Sequence, residues 1–167
     1  MTLILGIDPG SQKTGFGIIE QRAGQNIYVT SGIIRLPRAS LPERLKIIHD
    51  SVAEIVDSHC PQELAIEEVF MARDAKAAIK LGQARGAAIV ACVNQGMPVY
   101  EYAARAIKLA VVGNGGADKE QVQHMVKTLL KLPAAPAEDA ADALAAALCH
   151  SHTQRELIRR ARSRRGR

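Results

Sequence analysis

The hydrophobic pattern changes period just after Leu36, and that change limits the folds open to the chain. Before it, Leu3–Ile7, Thr14–Glu20 and Ile27–Leu36 are short runs rich in apolar and β-branched residues. Pro9-Gly10-Ser11 and Arg22-Ala23-Gly24-Gln25 break these runs, so three strands in an antiparallel meander are expected. After it, Ser40-Leu41-Pro42-Glu43 has the Ser-x-x-Glu spacing of a helix start, with proline in the first turn. Leu45, Ile48, Val52, Ile55 and Val56 then recur at helical spacing as far as Cys60-Pro61. Leu64–Phe70 reads as a fourth strand, Ala75–Asn94 as a helix and Val99–Tyr102 as a fifth strand. Helices are expected over Ala104–Val111, Lys119–Leu130 and Glu138–Ser151. This order predicts an α/β fold, a mixed five-stranded sheet flanked by helices.

Length and composition narrow the class. The 167 residues suit one domain. Aromatics make up only 3%, so the core must be aliphatic. The longest apolar runs, Ala87–Val93 and Ala143–Cys149, fall far short of the ~20 residues that span a bilayer. The first apolar run has no basic stretch before it and ends in an acid, unlike a signal peptide. A cytoplasmic protein with no membrane contact is therefore expected. Cys60, Cys92 and Cys149 form no disulfide framework. In Cys149-His150-Ser151-His152 a buried cysteine beside solvated histidines is expected, because a structural zinc site draws ligands from separated clusters.

The net charge of +5 is unevenly spread. Arg155–Arg167 (RELIRRARSRRGR) holds seven arginines and one glutamate, which leaves residues 1–154 slightly acidic. A globular domain over 1–153 and a basic C-terminal tail over 154–167, flexible or a helical arm, are expected. Such a tail suits phosphates without sequence choice, or serves only solubility.

Acids in apolar settings point to chemistry. Asp8 closes the apolar run Leu3–Ile7 beside Gly6, where a charge is costly unless paired or metal-bound. Alternation puts Ile4, Gly6 and Asp8 on one face of the first strand. In the fourth strand, Glu67 shares its face with Ala65, whereas Glu68 follows Leu64 and Ile66. Small neighbours beside both acids pair Asp8 with Glu67. Asp139 and Asp142, three apart, share a face at the start of an otherwise apolar helix. Alone, these two acids could simply complement the helix dipole. Together, four converging carboxylates would repel one another without a cation. Mg2+ prefers such oxygens, and two ions about 3.5–4 Å apart can hydrolyse a phosphodiester. Mn2+ suits the same donors.

Four segments in order, GIDPGSQKTGFGII, AIEEVFMARDAKAAIKLGQARG, EYAARAIKLAVVGNGGADKEQVQHMV and DAADALAAAL, resemble the RuvC Holliday-junction resolvases, endonucleases of RNase H-like fold. The resemblance runs nearly to His152. It implies that Asp8, Glu67, Asp139 and Asp142 form the acidic tetrad. It also implies Mg2+-dependent hydrolysis by water, leaving 5′-phosphate and 3′-hydroxyl ends. Lys119 matches a lysine near the scissile phosphate, able to stabilise transition-state charge, and Lys108 matches a DNA-contacting position. Phe70 is then expected to stack on an unpaired base, with Arg73, Lys76, Lys80 and Arg85 as phosphate contacts. A homodimer would match the two-fold symmetry of a four-way DNA junction. The helix carrying Gly82, Gly86 and several alanines is its candidate interface. The resemblance further implies cooperation with the RuvA–RuvB branch-migration machinery. The alternatives are a junction-binding module without cleavage and another RNase H-like nuclease. An actin-like ATP-binding protein would need a second, duplicated domain.

Overall fold

The computed structural model describes residues 1–69 and 74–165. Strands β1 (Thr2–Asp8), β2 (Lys13–Arg22) and β3 (Gln25–Arg35) form the expected meander. Helix α1 (Leu41–His59), β4 (Glu63–Glu67), α2 (Ala75–Val93) and β5 (Val99–Tyr102) follow. Three helices, α3 (Ala104–Val112), α4 (Lys119–Leu129) and α5 (Glu138–Arg165), complete the chain. The sheet order is β3-β2-β1-β4-β5. The meander pairs are antiparallel, while β1–β4 and β4–β5 are parallel.

Local chemistry sets the boundaries. Ser40 and Glu43 close a reciprocal capping box at the start of α1, and left-handed Cys60 ends that helix. The strand expected over Leu64–Phe70 stops at Glu67, and Phe70 lies outside the described residues. Helix α5 departs most from expectation. It runs on from Ser151 to Arg165 with no break at 153. Helix-forming Arg, Glu, Leu and Ala dominate this extension. Thr153 donates to the Cys149 carbonyl, and His152 Nδ1 sits 3.1 Å from the Ala110 carbonyl of α3, which anchors the helix as it leaves the core.

Two aliphatic cores sandwich the sheet. Leu5, Ile7, Ile18, Leu64 and Ile66 face α1 and α2. Ile4, Ile19 and Ala65 face Leu144, Ala145 and Leu148 of α5, with α3 and α4 outside. On this second face the helix touches strand backbone directly. A Cβ on Gly6 would overlap the Ala143 carbonyl, and one on Gly15 would overlap the Asp139 carbonyl. Gly6 pairs with Gly17 and Asp8 with Gly15 across β1–β2, so the contact is a glycine-lined trough. Gly6 therefore makes room for helix backbone, not simply for the neighbouring acid. Among the described residues, no helix is long and apolar enough to cross a membrane.

Candidate active site

The trough decides which side chains meet. Ile7 pairs with Ile66, so Asp8 and Glu67 are the next residues along two parallel neighbours. Both lie on the α5 side, as alternation predicts, and both are half-buried, whereas Glu68 is exposed. Because the first turn of α5 sits on Gly15, Asp139 and Asp142 come over the same end of the sheet, and they too are half-buried.

The acids feel one another. Burial, then the charges of Asp142, Glu67 and Asp139, push the Asp8 carboxyl up to about 7 against the opposing pull of Lys119. Glu67 is raised by burial and by Asp142, with Lys108 and Lys119 opposing. Asp142 is raised chiefly by burial, with Glu138 and Asp139 adding and Lys119 and Lys108 opposing. At neutral pH Asp8 therefore carries less charge than a free carboxylate would.

Two lysines flank the cluster. Lys119 opens α4, capped by Asp118, and pairs with Glu138. That bond raises its ammonium; burial opposes it, and the charges of Asp142, Glu138 and Asp8 add to the rise. Half-buried Lys108 on α3 acts on Glu67 and Asp142. A third lysine, not singled out from the sequence, reaches the site. Lys13 Nζ lies 2.6 Å from Asp139 Oδ2, a contact without hydrogen-bond alignment, so this buried oxygen has no directed donor.

The donor set fits a hard divalent cation. It offers carboxylate oxygens only, it gathers them where burial and repulsion oppose ionisation of Asp8, Glu67 and Asp142, and a positive charge there would relieve both. The side chains are not drawn into a coordination shell: among the described residues, no three His, Cys, Asp or Glu groups are close enough to hold one ion. Asp139 instead turns to Lys13.

The expected DNA contacts divide. Lys76 and Lys80 are exposed on α2, and Phe70 and Arg73 lie outside the described residues. Arg85 departs from the expected phosphate-facing set. Its Nε donates to the Glu67 carbonyl at 2.9 Å, its guanidinium pairs with Glu101, and the side chain is only 15% exposed. It braces the end of β4 beneath Glu67.

The Cys149–His152 segment also corrects an expectation. His150 is fully buried, not solvated. Its Nε2 lies 2.7 Å from Glu63 Oε2, its Nδ1 lies 2.6 Å from the Tyr102 hydroxyl, and Tyr100 stacks on the ring. Two partners from separate strands neutralise its polarity. The pairing was invisible in the sequence because Glu63 and Tyr102 are 87 and 48 residues away. Burial pushes the Cys149 thiol up to about 11, which leaves it unreactive.

A mixed sheet in this order, with acids at the ends of its central strands and at the start of the crossing helix, defines an α/β fold of the RNase H-like class. Residues 4–150 match the family model for crossover junction endodeoxyribonuclease RuvC. The chain belongs to the RuvC family. It is 63% identical over 161 residues to crossover junction endodeoxyribonuclease RuvC of Tolumonas auensis, covering 96% of this chain and 93% of the relative. The Teredinibacter turnerae protein of the same name is 61% identical over 99% of this chain and 96% of its own length. The solved T. thermophilus RuvC in complex with Holliday junction substrate superposes with a TM-score of 0.87 at 36% identity, covering 93% of this chain and 96% of that one. The yeast mitochondrial Holliday junction resolvase Ydc2 shares the fold at a TM-score of 0.66 and 10% identity, over 93% of this chain and 82% of its own.

Proposed function

We propose that this chain is an endonuclease that resolves Holliday junctions during recombination and repair by paired, symmetric nicks in opposite strands. Asp8, Glu67, Asp139 and Asp142 are its metal-holding carboxylates. The observation that carries this reading is the gathering of all four acids, half-buried, at one end of the sheet. A bound divalent cation, Mg2+ with Mn2+ as a substitute and two ions in the full site, supplies water activation and charge neutralisation at the phosphate.

The chain's own groups do the rest. Asp8 and Glu67, fixed at strand ends, hold their oxygens on a rigid base. Asp139 and Asp142, three apart on α5, complete the oxygen wall from above. Lys119 presents an ammonium beside Asp8 and Asp142, where charge on the transferring phosphoryl group develops. Lys108 screens Glu67 and Asp142 and meets the backbone phosphates. Lys76 and Lys80, with Arg73 and the stacking Phe70, form the junction-contacting set. The products carry 5′-phosphate and 3′-hydroxyl ends.

Two copies act together. Ile79, Val90 and Val93 lie exposed along one stripe of α2, level with Gly82 and Gly86, where a Cβ would meet open space. Ala84, Ala88 and Ala91 occupy the opposite, buried face. A stripe that is apolar, small and uncovered suits a second copy of the helix. The nuclease domain covers 1–153, and the arginine-rich continuation of α5 tracks phosphates outside the site. Action in the cytoplasm, together with RuvA–RuvB, is supported by family membership.

The test is a synthetic four-way junction labelled at each strand end and incubated with the protein and Mg2+. Paired nicks in opposite strands, lost with chelator and with Asp8→Asn, are expected. Tight junction binding without cleavage across sequences and metals would make the chain a binding module.

A further inference from the structure

Lys13 is the one basic group seen paired with a side-chain carboxylate of the tetrad, among the described residues. Lys119 is bonded to Glu138, which is not one of the four. Lys13 begins β2, directly after the turn that follows Asp8, and it shares the α5 face of that strand with Gly15 and Gly17. The contact is framed by backbone. The carbonyl of Asp139 sits where a Cβ of Gly15 would be, so the first turn of α5 is pinned on β2 two residues from Lys13. From there the ammonium lies 2.6 Å from Oδ2 of Asp139. The partners differ in exposure: the Asp139 side chain is 16% exposed and that of Lys13 is 50% exposed.

We propose that Lys13 is a built-in counter-cation that competes with divalent metal for Asp139 and so weakens metal uptake by the unliganded chain. The inference rests on the acidic-site reading above. An ammonium held 2.6 Å from one carboxylate oxygen stands in the space through which a metal must approach it. It also sets a positive charge where a second cation must arrive. Metal entry at Asp139 therefore requires the Lys13 contact to open. The Lys13 side chain is flexible and already half exposed, so opening is a small step, though not a free one. The neighbouring acids have no such occupant: Asp8, Glu67 and Asp142 experience lysines through space, without an ion pair among the described residues.

The experiment counts free Mn2+ by electron paramagnetic resonance during titration of the chelator-stripped full chain, without DNA. Lys13→Met removes the ammonium and keeps the stem. Lys13→Gln serves as a second variant should the first misfold, as read by circular dichroism. Lys13→Arg restores the charge. Arg35→Met removes a like charge from the residue paired with Lys13 on β3, which makes no ion pair with Asp139 among the described residues. Lys13→Met and Lys13→Gln are expected to bind Mn2+ about three- to fivefold more tightly than the native chain. Lys13→Arg and Arg35→Met should stay within about twofold of it. Unchanged or weaker binding by both neutral Lys13 variants overturns the inference. An equal gain from Arg35→Met also overturns it, by reducing the effect to net charge. Asp139→Asn separates the two levels of the argument. If it weakens binding while the Lys13 variants change nothing, the acidic site stands and the competition fails. If Asp8→Asn and Asp139→Asn both bind as the native chain does, the acidic site itself fails and the inference with it.

Discussion

Helix α5 is polar at both ends of its buried stretch, and the two ends are built on opposite terms. Toward its C-terminal side, His150 has Glu63 and Tyr102 as partners, and Ser151 bonds Asn26 and Gln21. Each buried donor there meets an acceptor, so the network locks the helix to β2, β3, β4 and β5. At residues 139–142 the polar groups are all acids, facing two more acids on β1 and β4, and burial and repulsion raise three of the four. The closed end holds the helix in register. The open end keeps an electrostatic debt that an incoming cation and substrate can relieve. A cluster of like charges that the surrounding fold does not neutralise points to that cluster as its working part.

The contrast can be broken most severely at the open end. Asp142→Asn should lower junction cleavage by about 10²–10³-fold or more while junction binding stays within a few-fold, read by nicking and by gel shift. Retained cleavage would remove Asp142 from the site. At the closed end, His150→Ala leaves Glu63 and Tyr102 without their shared partner. It should cost about 3 kcal/mol in urea unfolding. Cleavage per folded molecule at low temperature should change little. A folded but inactive His150→Ala protein would mean that the closed end does more than hold.

Gly15→Ala tests the joint between them. The added methyl meets the Asp139 carbonyl, so the first turn of α5 must lift. A cost of about 1–3 kcal/mol is expected, with a larger proportional loss of cleavage than of stability. The smallest change should come from Arg85→Met, which removes the brace beneath Glu67. It should lower cleavage by about tenfold with junction affinity nearly intact. A large drop in affinity instead would return Arg85 to the DNA-contacting set.

The open end was far more legible than the closed one. Asp8, Glu67, Asp139 and Asp142 stand out in sequence because each is an acid in an apolar run, and strand alternation and helical spacing assign their faces. The meander, the capping box of α1 and the alternation of strands with helices also follow from local pattern. His150 could not be read that way. A histidine becomes a buried anchor only through partners far away in the chain, and nothing local distinguishes it from a solvated one. Arg85 and Lys13 are alike in this respect: a basic residue near a cleft looks the same whether it faces phosphate, braces a carbonyl or caps a carboxylate. The expected helix stop at Ser151 falls short of the end of α5 for another reason. Its arginine-rich extension is a good helix former, and charge composition alone does not break a helix.

The most direct test of the open end is its effect on stability without metal. Asp8 titrates near 7 in the folded chain and near 3.8 when unfolded, so between these values the folded state binds more protons. Its contribution therefore favours folding at low pH, is lost progressively as pH rises from about 4 to about 7, and stays lost above that. Urea unfolding of the native chain and Asp8→Asn should be followed from pH 5 to pH 8 in chelator. Relative to Asp8→Asn, the native chain should lose about 2 kcal/mol across that range. At pH 8 the variant should be the more stable protein, yet unable to nick a four-way junction when Mg2+ is restored. Parallel stability curves, or a variant less stable at pH 8, would contradict the claim that the active end is the one the fold leaves unsatisfied.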